Sequence, residues 1–152
     1  MTDVFLRDAV VRDLDAIMAL ETATFITDAW SRDLMAAELA APHTRYLVAF
    51  VDESIVGYAG LSAPRGASQA DVQTIAVHAG FRRRGAGALL LRRLLSEAVA
   101  RGVDDVLLEV RADNPGAQRL YERHGFAPIA VRPGYYQPDN VDAIVMRWEA
   151  EV

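Results

Sequence analysis

Three groups of residues in this chain have types and spacings suited to chemistry. Arg82-Arg83-Arg84-Gly85-Ala86-Gly87-Ala88 follows the apolar Val72, Ile75 and Val77 and precedes Leu89-Leu90-Leu91, Leu94 and Leu95. Read as strand, turn and helix, the segment leaves the first-turn N–H groups without partners and sets the positive end of the helix dipole beside three arginines. Two glycines let a ligand approach the backbone closely. That combination suits a pyrophosphate, the alternative being a plain basic turn.

The second group is Glu109, set in Val106-Leu107-Leu108-Glu109-Val110. Apolar surroundings would raise its pKa and make it a general base. The alternative is an outward-facing strand glutamate paired with Arg111. The third is Tyr121, two helical turns after Asn114 and on the same face as Asn114 and Gln118. A phenol, with a pKa of about 10, can serve as a general acid. Otherwise Tyr121 is a core tyrosine with a satisfied hydroxyl.

Two other phosphate templates fail on the glycine turn. Gly80 and Gly85 have triphosphate-loop spacing, but Ala86-Gly87 stands where Lys-Ser/Thr must reach phosphate and magnesium. The dinucleotide pattern needs a third glycine where Leu90 stands, and no acidic ribose reader follows at a strand end.

The elements that must position these groups are legible along the chain. Val4–Val10 reads as a strand, and Leu14, Ile17, Met18 and Glu21 to Phe25 as a helix capped by Asp13. Ser31 caps a second helix through about Ala40, closed by Pro42. Tyr46–Val51 and Ile55–Leu61 form a hairpin around Asp52-Glu53-Ser54. After the long helix, ended by Gly102, comes a strand at Asp105–Val110. A helix from Asn114-Pro115 to Gly125 follows, then strands near Ala127–Val131 and Val141–Trp148. The alternation implies a mixed sheet with helices on both faces.

Composition narrows the function classes. At 152 residues, a single domain over 1–152 with a sizeable core is expected. A hydrophobic content of 52% excludes a disordered chain. The net charge of −5 argues against general nucleic-acid or anionic-membrane binding, and makes the arginine cluster a local device. No cysteine is present, which excludes disulfides, thiolate metal sites and a cysteine acyl-enzyme. His43, His78 and His124 lack metal-ligand spacing, so no metal is expected. Met1–Asp8 has neither the basic start nor the apolar run of a signal peptide, and no stretch is apolar enough to span a membrane. A cytoplasmic location is the expectation.

Arg82 to Gly87 resembles the Arg/Gln-x-x-Gly-x-Gly/Ala signature of the GNAT N-acetyltransferases, which bind the pyrophosphate of acetyl-coenzyme A there. Leu108 to Asn114, Leu120-Tyr121-Glu122, His124-Gly125-Phe126, Arg132, Gly134-Tyr135-Tyr136 and Asp142 to Met146 are similar to the RimI-type ribosomal-protein alanine N-acetyltransferases. The resemblance is dense from Gln73 to Met146 and thin before Arg45, where little beyond Trp30-Ser31 matches. Ala79 departs from a frequent proline, and Arg82 from a frequent glutamine.

The resemblance implies a single-domain α/β fold, with a mixed sheet of about seven strands flanked by about four helices. It implies that Ile75, Ala76 and Val77 offer backbone groups to the pantetheine arm of acetyl-CoA. Arg83, Arg84, Gly85, Ala86, Gly87 and Ala88 would cradle the pyrophosphate, and Asn114 would hydrogen-bond the cosubstrate. Glu109 becomes general base and Tyr121 general acid. Trp30, Tyr135 and Tyr136 become acceptor-cleft residues. The implied partner is a protein N-terminus, that of ribosomal protein S18. Other peptide N-termini, lysines or a small amine remain alternatives, as does a coenzyme A-sensing module, which would need neither acid nor base. Direct attack in a ternary complex is the simplest mechanism, its oxyanion steadied by a backbone N–H of Ile75–Val77.

Overall fold

The computed structural model describes residues 3–82 and 84–150. Among them are strands β1 (Phe5–Asp8), β2 (Thr44–Val51), β3 (Ser54–Ser62), β4 (Gln69–Val77), β5 (Asp105–Arg111), β6 (Ala127–Tyr136) and β7 (Val141–Glu149). The helices are α1 (Leu14–Thr24), α2 (Arg32–Ala40), α3 (Ala86–Ala100) and α4 (Pro115–Arg123). One mixed sheet has the order β1-β2-β3-β4-β5-β7-β6. Neighbours are antiparallel except β4 and β5, which are parallel and joined through α3. The expected α/β architecture is the one observed.

Local chemistry sets most boundaries. Ser31 Oγ accepts from Leu34 N–H at 3.1 Å to start α2, and Asn114 Oδ1 accepts from Ala117 N–H at 3.1 Å to start α4. Gly102 and Gly125 end α3 and α4 with φ of 79° and 96°, where other residues are strained. Asp13 departs from its expected capping role. Its carboxylate makes no cap bond to α1; it accepts from Arg7 at 2.8 and 2.9 Å and from Val10 N–H at 2.8 Å. β6 also runs past Val131 to include Tyr135 and Tyr136, because an edge strand tolerates Pro133.

Apolar faces cover both sides of the sheet. Leu90, Leu91, Leu94, Leu95 and Ala98 share one face of α3 and pack on Leu47, Ala59, Leu61, Val106 and Leu108. Each buried leucine stabilises the fold by roughly 1.5–3 kcal/mol. On the other side Leu14, Ile17 and Leu20 of α1 and Met35 of α2 meet Tyr46, Val48, Tyr58 and Ala76. The β3–β4 register skips Gln73, pairing Gly60 with Thr74 but Leu61 with Val72. This bulge reverses the alternation, so Ala70 and Val72 face α3 whereas Ala76 faces α1.

β4 and β5 pair only at Gln69–Asp105, Ala70–Val106 and Asp71–Leu107. Beyond those rungs they part, and a cleft of about 1010 Å³ opens within the sheet. No described helix is long and apolar enough to cross a membrane.

Candidate active site

The glycine turn, which does not line that cleft, leaves backbone donors exposed. Gly85 holds φ of 82° at the N-cap of α3 and supplies no side-chain cap, so the first-turn N–H groups stay open. A Cβ on Gly87 would stand 3.3 Å from Leu120 Cδ2, so glycine there permits close packing on α4. Arg82 and Arg84 do not converge. Arg82 Nε donates to Val77 O at 3.3 Å, and the Arg84 guanidinium lies 5.2 Å from the Phe81 ring centre. Arg83 lies outside the described residues. Ala86 is buried, and Ala88 is half-buried one turn into α3. Arg84 and Gly85 line a second, separate hollow of about 450 Å³ with Phe5, Leu89 and Arg92.

The divergent part of β4 has β3 on one edge and open cleft on the other. His78 N–H donates to Val56 O at 2.7 Å, so strand alternation also turns the Ala76 amide toward β3. Ile75 and Val77 present their backbone groups to the open edge, and Ile75 lines the cleft.

Glu109 lines the opposite wall, but not in apolar surroundings. Its buried neighbours Leu108 and Val110 point to the α3 side, so alternation turns Glu109 the other way. Its side chain is 31% exposed, with Oε1 3.6 Å from Arg132 Nε. The neighbouring Glu109 carboxylate pushes the Tyr135 phenol pKa up. Arg111 does not pair with Glu109. It binds Asp113 at 2.9 Å and Asp139 at 3.1 Å, approaches Asp28 at 3.7 Å, and stacks 5.2 Å from the Tyr136 ring centre.

Tyr121 is buried against Phe126 with ring centres 5.9 Å apart. Its hydroxyl has no side-chain partner among the described residues, yet no fully buried polar atom there is left unpaired. The hydroxyl therefore opens on the cleft, which Tyr121 lines. Burial raises its pKa well above the usual phenol value, keeping it protonated at neutral pH. Asn114 lines the same cleft; capping uses its Oδ1 and leaves Nδ2 free to donate. Trp30, Tyr135 and Tyr136 also line it, the two tyrosines packed edge to face at 5.1 Å.

Glu21 and Arg111 are site residues that the sequence reading did not single out. Glu21 is fully buried yet lines the cleft, accepting from Trp30 N–H at 2.8 Å and from the hydroxyls of Tyr58 and Thr74. It follows Leu14 by seven residues and Ile17 by four, a spacing that places a carboxylate on the apolar face of α1. No local signal marks Arg111, whose partners lie on three different connections.

Residues 14–126 match the model of the Acetyltransferase (GNAT) family. The chain is 38% identical over 142 residues to an uncharacterised protein of Mycobacterium leprae, covering 91% of this chain but only 39% of that protein's length. It is 38% identical over 138 residues to the N-alpha-acetyltransferase RimI of Mycobacterium tuberculosis, covering 89% of this chain and 85% of the relative. Among solved structures, the ribosomal-protein-S18-alanine N-acetyltransferase from Escherichia coli superposes with a TM-score of 0.88 at 28% identity, over 99% of this chain and 96% of the other.

Proposed function

We propose, from the premise that this chain belongs to the GNAT acetyltransferase family, that it transfers acetyl from acetyl-CoA to the N-terminal α-amine of a protein in the cytoplasm. The Escherichia coli relative's name points to the alanine N-terminus of ribosomal protein S18 as acceptor. The observation that carries this reading is one cleft lined at once by Ile75, Glu109, Asn114 and Tyr121, with Trp30, Tyr135 and Tyr136 on its walls.

The residues present fit acetyl-CoA. Gly85 at φ of 82° and the uncapped start of α3 leave the N–H groups of Ala86, Gly87 and Ala88 for the pyrophosphate. Arg83 and Arg84 add positive charge. The open β4 edge at Ile75 and Val77 suits the amide groups of the pantetheine arm, and Asn114 Nδ2 is free to donate. Bound there, acetyl-CoA supplies an activated thioester carbonyl.

Glu109 then removes a proton from the acceptor's ammonium, whose pKa of about 7.7–8 leaves it largely charged at neutral pH. A backbone N–H of the open β4 edge steadies the oxyanion as the amine attacks. Tyr121, kept protonated by burial, gives its proton to the departing thiolate and is restored by the second proton that the nitrogen sheds as the amide forms. Trp30, Tyr135 and Tyr136 enclose the acceptor's first residue.

Incubation with acetyl-CoA and a peptide panel varied at its first residue, with lysine and small-amine controls, tests this reading by mass spectrometry. Acetylation at the N-terminal nitrogen, strongest on alanine, is expected. Transfer only to lysine or a small amine would overturn the acceptor, and coenzyme A binding without transfer to any amine would favour a sensing module.

A further inference from the structure

Five carboxylates line the cleft: Glu21, Asp28, Asp71, Glu109 and Asp113. Four have partners. Glu21 accepts from Trp30, Tyr58 and Thr74, Asp28 and Asp113 face Arg111, and Glu109 faces Arg132. Asp71 alone makes no side-chain hydrogen bond or ion pair with any described residue.

Its place in the sheet is informative. Asp71 forms the last rung between β4 and β5, opposite Leu107. Paired residues of a parallel ladder share a face, and so do alternate residues of a strand, so Asp71, Leu107 and Glu109 point the same way. That face is the one away from α3, because Ala70 and Val72 on one strand and Val106, Leu108 and Val110 on the other pack into the α3 layer. Asp71 is exposed to the cleft, and desolvation there together with the nearby Glu109 charge pushes its carboxyl up, the response of two anions facing one space with one cation between them too few.

We propose that Asp71 binds the acceptor's incoming α-ammonium and holds the nitrogen beside Glu109, an inference that rests on the N-terminal acetyltransferase reading above. An ammonium has three N–H donors, so it can bond Asp71 and Glu109 together and still present its nitrogen to the thioester once Glu109 has taken one proton. Arg132 balances Glu109 alone, and Arg111 is spent on its three aspartates, so the acceptor itself supplies the missing positive charge. Asp71 thus binds and positions the acceptor, and proton removal stays with Glu109.

The test is calorimetric binding to the protein saturated with coenzyme A. One probe is an alanine-starting peptide; the other is the same peptide with its terminal amine replaced by hydrogen. Asp71→Asn is expected to weaken the free-amine peptide about tenfold, the scale of a hydrogen bond to a charged group, and to leave the amine-less peptide unchanged. Asp71→Glu is expected to recover part of the loss, and coenzyme A affinity serves as the fold control. Equal losses for both peptides, or no loss for the free-amine peptide, would overturn the proposal while leaving the acetyltransferase reading standing. If the unmodified protein does not prefer the free-amine peptide, the N-terminal reading fails and the role of Asp71 falls with it.

Discussion

Arg111 Nη2 donates to Asp139 Oδ2 at 3.1 Å, and that bond fastens the turn between β6 and β7 to β5. Thr27 Oγ1 reaches the same oxygen at 2.5 Å, while Asp28 stands 3.7 Å from the guanidinium. The α1–α2 connection is therefore tied to the same point. Both connections border the cleft's aromatic wall, and Arg111 stacks on Tyr136 within it.

Replacing Arg111 by methionine keeps much of the side chain's bulk and removes all three charge contacts. Loosening both connections misplaces the acceptor more than the cosubstrate. Steady-state kinetics are expected to show KM for an alanine-starting peptide raised roughly tenfold, with KM for acetyl-CoA little changed. A change confined to acetyl-CoA would contradict this.

Tyr121→Phe removes one oxygen and keeps the ring contact with Phe126. The thiolate then leaves without its proton donor. A fall in kcat of about 10²–10⁴-fold is expected, with melting temperature and acetyl-CoA affinity close to those of the unmodified protein. Stopped-flow thiol release under saturating substrates measures it.

Gly85→Ala isolates the backbone of the glycine turn. An added Cβ meets no atom within 4 Å, so the penalty in the free protein is the left-handed φ of 82°, about 1–2 kcal/mol. Acetyl-CoA affinity is expected to fall by roughly tenfold or more, since the methyl group intrudes on the proposed pyrophosphate position. Thermal melts with and without acetyl-CoA separate the two effects.

Asp13 gives a pH signature unrelated to catalysis. The Arg7 hydrogen bond, aided by Val10 N–H, holds its carboxyl below the ordinary value of 3.8 against the opposing effect of burial. A lowered folded-state pKa contributes stability that is present above the unfolded value and lost as pH falls through the folded one. Asp13→Asn is expected to destabilise by about 1.5 kcal/mol at pH 7, a difference that shrinks below about pH 4. Urea unfolding at neutral and acidic pH reads it directly.

Much of this molecule is visible in its sequence because the signals are local. Ser31 and Asn114-Pro115 announce helix starts, and the leucine spacing after Gly85 announces a helix with one buried face. Adjacency in sequence misleads at Glu109, since its apolar neighbours Leu108 and Val110 lie on the other side of the strand. Simple alternation contains that information. Glu21 was equally legible, as a carboxylate in phase with Leu14 and Ile17. The Gln73 bulge and the Arg111 contacts were not, because both depend on where distant segments meet. Without the bulge, Ala70, Val72, Thr74 and Ala76 read as one face; with it, Thr74 turns to Glu21 and Ala76 to α1.

The pH–rate profile of Glu109→Gln on an alanine-starting peptide tests the central claim most directly. If Glu109 takes the amine's proton within this cleft, kcat falls by about 10²–10⁴-fold and the acidic limb of the profile disappears, while coenzyme A binding persists. An unchanged acidic limb with near-normal kcat would contradict the account and move the base elsewhere.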